Sequence, residues 1–307
     1  MILICGIPSE PPLAMVRAHL ERLRAPFYCF NQRQAPQAEL AFEVNAGGVR
    51  GLLEVDGLSI KLEDVGGVYT RMMDEQILPE LAGEAPGSPA RRRAQDVSIG
   101  LVNWMEVAPA RVLNRASAMA SNGSKPFQGQ LIRAHGFAIP ETLISSEPDE
   151  VAAFWARHGK VVYKSISSER SIVRELRDED LARLERIRAC PVQFQEKVEG
   201  RDLRVHVVGS RVFATSIRAE SDDYRYAANE GEPARLTPCE LDDGLAQRCL
   251  RLSSGLGLLF AGIDLRITPD GRAYCFEVNP SPGYSYYEGN TGQAISAAVA
   301  QLLIGHD

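Results

Sequence analysis

Gly262-Ile263-Asp264-Leu265-Arg266-Ile267-Thr268-Pro269-Asp270-Gly271-Arg272-Ala273-Tyr274-Cys275-Phe276-Glu277-Val278-Asn279-Pro280 is the stretch that decides the fold of this chain. It reads as a β-hairpin. Asp270-Gly271 is a two-residue turn signal, because glycine accepts positive φ and aspartate tolerates it. Apolar residues alternate on both sides of it. With Asp270 and Gly271 at the tip, Pro269 faces Arg272 and Asp264 falls opposite Glu277. Opposed side chains in an antiparallel pair have Cβ atoms roughly 5 Å apart, so like charges there destabilise the sheet. Asn279 lies two residues beyond Glu277 and shares its face. Two carboxylates and an amide oxygen suit a hard cation such as Mg²⁺, which prefers oxygen ligands and leaves room for phosphates. The competing reading is a solvated hairpin edge that carries two acids by chance. A loop of any length other than two residues also breaks the register.

Composition narrows the classes around that hairpin. The 307 residues are enough for two or three packed units. At 45% hydrophobic and 24% charged, the chain has the balance of an ordinary soluble globular protein. A net charge of −6 argues against a nucleic-acid binder held by phosphate contacts. Arg91-Arg92-Arg93 is the one basic cluster and reads as a solvated helix start. The six cysteines are scattered, with no Cys-x-x-Cys pair and no Cys/His zinc spacing. They are therefore expected to be reduced thiols in a cytoplasmic protein. Residues Met1 to Gly6 are too short for a signal-peptide core and are cut by Pro8. No apolar run reaches membrane-spanning length.

Taken in order, residues 1 to about 110 read as an α/β unit. Ile2 to Cys5 is a buried strand, and Pro11-Pro12 opens a helix with Leu13, Val16, Leu20 and Leu23 at helical spacing. Strands broken by Gly47-Gly48 and Asp56-Gly57 lead to Val68-Tyr69-Thr70-Arg71, which puts an arginine at a strand terminus where α/β folds often contact ligands. A second unit, to about residue 191, has a helix from Phe127 to His135. It also has a strand ending on Lys164, a short strand Ser171 to Val173 and a charged helix Asp178 to Ala189. The third unit, residues 192 to 307, begins with Val192 to Val198. It continues as a pair turning at Gly209-Ser210, a polar loop Glu220 to Pro233, a helix Asp242 to Leu256, the hairpin and a final helix. Strict alternation about Gly209-Ser210 puts Arg204 and Arg218 on opposite faces. His206 reads as a structural histidine with no second ligand at metal spacing.

Lys125 before a helix, Lys164 at a strand end, Gln195-Glu196-Lys197-Val198 followed by Asp202-Leu203-Arg204, then Ile263-Asp264 and Phe276-Glu277-Val278-Asn279-Pro280 together form an ordered set. This set resembles the pattern of ATP-grasp ligases over residues 110 to 307. The chain looks closest to the ribosomal-protein glutamate ligases and the microviridin-type peptide macrocyclases. With the macrocyclases it also shares Ala46-Gly47-Gly48 and Val68-Tyr69-Thr70-Arg71 in a similar context. The resemblance implies an α/β protein with α+β lobes: a pre-ATP-grasp domain (1–110), a central lobe (111–191) and a C-terminal lobe with the metal site (192–307). It implies ATP between the lobes, attack of a substrate carboxylate on the γ-phosphate, an acyl phosphate, and its displacement by an amine or hydroxyl. Lys125 and Lys164 would neutralise phosphate oxygens. Gln195, Glu196, Lys197 and Val198 would form the hinge at the adenine edge, and Asp202 would accept from the ribose. Asp264, Glu277 and Asn279 would hold Mg²⁺, while Arg204 and Arg218 would stabilise charge on the transferred group. Expected partners are a small amino acid or a peptide, without nucleic acid or membrane, and a homodimer is compatible with the pattern.

Two departures stand out. Ser165-Ile166-Ser167-Ser168 has no glycine where the glutamate ligases carry a glycine-rich loop, and the hairpin the macrocyclases use on a leader peptide is cut to about Ser165 to Val173. Two other functions fit the residues: a small-molecule kinase on the same scaffold, and a nucleotide-binding regulatory protein without turnover.

Overall fold

A computed structural model of the chain describes residues 1–166, 173–218 and 234–306. Strand β1 (Ile2–Gly6) is buried at all five residues, as a strand covered on both faces must be. It pairs in parallel with β2 (Phe27–Asn31) and β6 (Gly67–Thr70), and β7 (Arg111–Leu113), a strand missed in the sequence, extends the sheet beyond β6. Helix α1 (Pro11–Arg22) starts on its two prolines, whose φ is already helical. It buries Leu13, Val16 and Leu20, but Leu23 lies past its end and is half exposed. An antiparallel meander of β3 (Glu39–Asn45), β4 (Gly48–Val55) and β5 (Leu58–Lys61) separates β2 from β6. The arginines that open α2 (Pro89–Val107) are more than solvated. Arg91 donates to the carbonyls of Leu81 and Glu84, and Arg92 donates to that of Gly87.

Helices α3 (Ala116–Met119) and α4 (Lys125–Ala134) precede a wholly antiparallel sheet. Its order is β10 (Arg174–Glu175), β9 (Val161–Lys164), β11 (Val192–Glu196) and β8 (Thr142–Ser145). Helix α5 (Pro148–His158) packs Val151 and Phe154 against Val161 and Phe194 of that sheet. The expected helix over Asp178–Ala189 is broken into α6 (Asp178–Leu181) and a 3₁₀ turn over Leu184–Ala189. Asp180 takes the Arg177 N–H and the Arg183 guanidinium, which ends the first piece after one turn. Of the strand expected at Ser171–Val173, residues 171 and 172 lie outside the described residues, and pairing is seen at Arg174, opposite Tyr163.

The third sheet, in the order β14 (Arg235–Cys239), β13 (Arg211–Arg218), β12 (Arg201–Val208), β15 (Phe260–Ile267), β16 (Ala273–Asn279), is also antiparallel. One face, with Leu203, Val205, Val207, Ile263 and Val278, packs on Leu245, Cys249 and Leu252 of α7 (Asp243–Gly255) and on Ile132 of α4. Ala138 pairs with the outer edge of β16. Thus residues ahead of the central sheet complete the C-terminal one. Short α8 (Ser285–Thr291) leads to α9 (Ile295–Ile304). The apolar face of α9 packs back on the first sheet, where Val299 and Leu302 share a core with Ile2, Ile4, Leu13 and Tyr69.

The deciding hairpin forms, and Asp264 pairs with Glu277 as expected. The turn differs. Thr268 N donates to Arg272 O at 3.0 Å, so Pro269, Asp270 and Gly271 make a three-residue loop, with Gly271 at φ +85°. That loop shifts the pairing to Leu265 opposite Cys275, and a β-bulge between Asp264 and Leu265 shifts it back. Two irregularities cancel, and the carboxylates still face each other. Among the described residues no helix is long and apolar enough to cross a membrane.

Candidate active site

The face of the C-terminal sheet away from α7 is polar, because residues two apart on its strands share it. Register stacks Asp202 beside Arg266, then Arg204, Asp264 and Glu277, then His206, Gly262 and Asn279. Arg204 is 5% exposed, and its Nη1 donates to Asp264 Oδ1 at 2.7 Å. Lys125 is the first residue of α4 rather than a residue before it, and its Nζ pairs with the Glu277 carboxylate. A cation in the first turn opposes the helix dipole, and Glu277 offsets that. The repulsion expected between Asp264 and Glu277 is therefore relieved, since each carboxylate faces its own cation.

Close packing holds this row in place. A Cβ on Gly262 would lie 2.1 Å from Arg204 Nη2 and 2.8 Å from Pro282 Cβ, so only glycine leaves room for the guanidinium. Arg204 lies over the Tyr287 ring at 5.5 Å, and His206 meets the same ring edge-on at 5.0 Å. Burial, with Arg204 beside it, pushes the His206 pKa well down and keeps the imidazole neutral. Asn279 Oδ1 accepts from Ser281 N at 2.9 Å. The loop beyond it is held from two sides. Buried Asn114 donates to the carbonyls of Phe260 and Pro280, and Arg71, at the end of β6, donates to Ser281 Oγ and Pro282 O while paired with Glu10.

A cavity opens beside these residues, between the central and C-terminal sheets. Val162, Val173 and Phe276 make its apolar walls, and Lys164, Lys197, Asp202, Arg266, Asp264 and Glu277 line it too. A second cavity shares Lys164, Gln195 and Phe276 with it and reaches Lys125. In the segment expected to form the hinge, Gln195 Nε2 donates to Thr142 Oγ1 and Lys197 Nζ to Glu175. The Glu196 and Lys197 N–H groups are spent on the carbonyls of Glu141 and Lys160. The Val198 N–H has no backbone acceptor among the described residues. Both oxygens of Asp202 are engaged by Arg266, at 2.6 and 2.8 Å.

The fold thus gathers Lys125, Lys164, Gln195 to Val198, Asp202, Arg204, Asp264, Glu277 and Asn279 around one cleft. Arg218 is apart from them: it ends β13 opposite Arg235, is exposed, and by regular register lies on the other face from Arg204. The polar loop after it, residues 220–233, lies outside the described residues. Among the described residues no three His, Cys, Asp or Glu side chains cluster, and the set expected to hold a cation is two carboxylates and an amide. Sequence reasoning missed Arg266, Gly262, Phe276 and Tyr287. Of these, Arg266 becomes visible only when β12 is aligned with β15.

Three comparisons bear on this arrangement. Residues 124–303 match the family model described as the RimK-like ATP-grasp domain. Beta-citrylglutamate synthase B of Homo sapiens is 29% identical over 205 residues, 63% of this chain and 53% of that protein, so the match spans about half the length of this relative. A probable alpha-L-glutamate ligase of Xanthomonas euvesicatoria pv. vesicatoria is 29% identical over 201 residues, 62% of this chain and 67% of that protein. Among solved structures, the ATP-grasp ligase PsnB, complexed with a phosphomimetic variant of its minimal precursor, Mg and ADP, superposes with a TM-score of 0.79 at 27% identity. That superposition covers 99% of this chain and 97% of PsnB. With more than half of its residues inside the family match, and with the lysines and carboxylates of the cleft falling within it, this chain belongs to the RimK-like ATP-grasp family.

Proposed function

We propose that the chain is an ATP-dependent ligase that joins a carboxylate to an amine or hydroxyl, through an acyl phosphate of the substrate, with release of ADP and phosphate. The observation that carries this reading is the meeting of Lys125, Lys164 and Arg204 with Asp264, Glu277 and Asn279 at the mouth of an apolar slot. The donor set fits a magnesium nucleotide: hard oxygens for the cation, ammonium groups for phosphates, aliphatic and aromatic walls for a base. Asp264, Glu277 and Asn279 would hold Mg²⁺, which supplies charge neutralisation at the β- and γ-phosphates. With the cation held there, Lys125 would be available to phosphate oxygens and Arg204 to the charge that develops on the transferred group. Lys164 takes phosphate oxygens, Glu196 to Val198 meet the base, and Asp202 accepts from the ribose. Arg218 reaches the reaction only if its strand end bends toward the cleft.

The acceptor is a small amino acid or a peptide, as the glutamate-joining relatives and the precursor-bound ligase suggest. The three units are an N-terminal domain (1–110), a central lobe (111–191) and a C-terminal lobe (192–307). Six free thiols support a place in the cytoplasm. The test uses Mg²⁺, ATP, a panel of amino acids and short acidic peptides, and hydroxylamine as a general acceptor. ADP, phosphate and a hydroxamate are expected in equal amounts. AMP and pyrophosphate, or a stable phosphorylated product without hydroxamate, would overturn the reading.

A further inference from the structure

We infer that Arg266 is a positioning residue that sets how well the site distinguishes a ribonucleotide from its 2′-deoxy counterpart; this rests on the nucleotide reading of the cleft proposed above. Arg266 stands directly opposite Asp202 in the pairing of β12 with β15. Its Nε donates to Asp202 Oδ1 at 2.6 Å and its Nη2 to Oδ2 at 2.8 Å. The remaining arm, Nη1, donates to the Val198 carbonyl at 2.7 Å. One planar group therefore ties the hinge to the acidic residue on the next strand, and it fixes the plane of that carboxylate.

The bulge in the hairpin supplies a fourth contact. It turns both Phe276 and Glu277 toward the cavity, and the Arg266 guanidinium lies 5.3 Å above the Phe276 ring. Each carboxylate oxygen can accept two hydrogen bonds, so Asp202 keeps one lone pair per oxygen after the fork is made. Those lone pairs have a set direction only while both arms hold. Arg266 also cancels a negative charge on the wall of a site that takes a polyanion. Lysine would keep that cancellation without the fork, since an ammonium cannot engage both oxygens in one plane and the Val198 carbonyl as well. The two roles of Arg266, charge and geometry, are thus separable.

The experiment is calorimetric titration, with Mg²⁺ and no acceptor, of the β,γ-imido analogue of ATP and of its 2′-deoxy form. Proteins are wild type, Arg266→Lys and Arg266→Met. Wild type should prefer the ribonucleotide by about tenfold or more, the worth of one hydrogen bond to a charged acceptor. Arg266→Lys should bring the two analogues within about twofold while the 2′-deoxy form binds nearly as in wild type. Arg266→Met should also lose the preference and bind both analogues more weakly. If Arg266→Met does not fold, the lysine variant decides. Wild type that binds both analogues equally, or an Arg266→Lys protein that keeps the full preference, overturns the positioning role. Wild type that binds neither analogue overturns the nucleotide reading itself.

Discussion

Replacing Glu277 by glutamine should separate two states of the hairpin. Unliganded, Glu277 pairs with Lys125, with side chains 26% and 16% exposed. Exposed pairs contribute about 0.2–1 kcal/mol, and removal of one partner from a buried pair costs about 3–5 kcal/mol. A pair at this depth falls between them, so Glu277→Gln should destabilise the unliganded protein by about 1–2 kcal/mol. Relief of Asp264 repulsion should not outweigh this, because Arg204 already neutralises Asp264. With Mg²⁺-ATP at a hundred times its dissociation constant, wild type should gain about 2.7 kcal/mol from binding to the native state. The variant should lose most of that gain, along with turnover. The assay is a melting series in EDTA, in Mg²⁺ and in Mg²⁺-ATP, repeated for Lys125→Met and the double variant to isolate the coupling. Unliganded Glu277→Gln that equals or exceeds wild type in stability would refute the pairing argument. A full Mg²⁺-ATP shift in that variant would refute the metal site.

Lys164→Ala should weaken nucleotide binding at least about tenfold, the loss of one charge-assisted contact, while melting stays near wild type; a sharp fall in melting with unchanged affinity would make Lys164 structural. Gly262→Ala puts a methyl group into the Arg204 guanidinium and should cost about 1–3 kcal/mol in urea unfolding and most turnover; normal activity would show that Arg204 is not held where its role requires. His206 stays neutral in the fold, so the unfolded chain takes up a proton first as pH falls through the ordinary value of 6.5. Its destabilising effect is absent above that pH and grows below it, by up to about 1.4 kcal/mol per pH unit. His206→Gln should accordingly flatten the loss of stability between about pH 6.5 and 5, and parallel curves would sink the assignment.

Much of the cleft was legible because it depends on short-range order. Asp264, Glu277 and Asn279 sit on one hairpin, and alternation alone puts them on one face. The expected register survived a wrong turn because the bulge at Phe276 repaid the extra loop residue, and no sequence signal announces that bulge. What stayed hidden depends on pairs distant in sequence. Arg266 with Asp202, Lys125 with Glu277 and Asn114 with Pro280 need the packed sheet before they can be seen. The arginines of α2 were read as solvated because their acceptors are backbone carbonyls, which composition cannot show. Similarly, Asp178–Ala189 has helical composition throughout, yet Asp180 offered the backbone and Arg183 a local alternative.

The packing of α9 on the first sheet has a consequence for biosynthesis. A Cβ on Gly67 would lie 2.5 Å from the Leu303 carbonyl, so this helix seats flush against β6. On the ribosome, β1, α1 and β6 emerge long before residues 295–303 have been translated. Until then that side of the sheet has α1 on it but not α9, and the patch under Val299 and Leu302 gains its cover last.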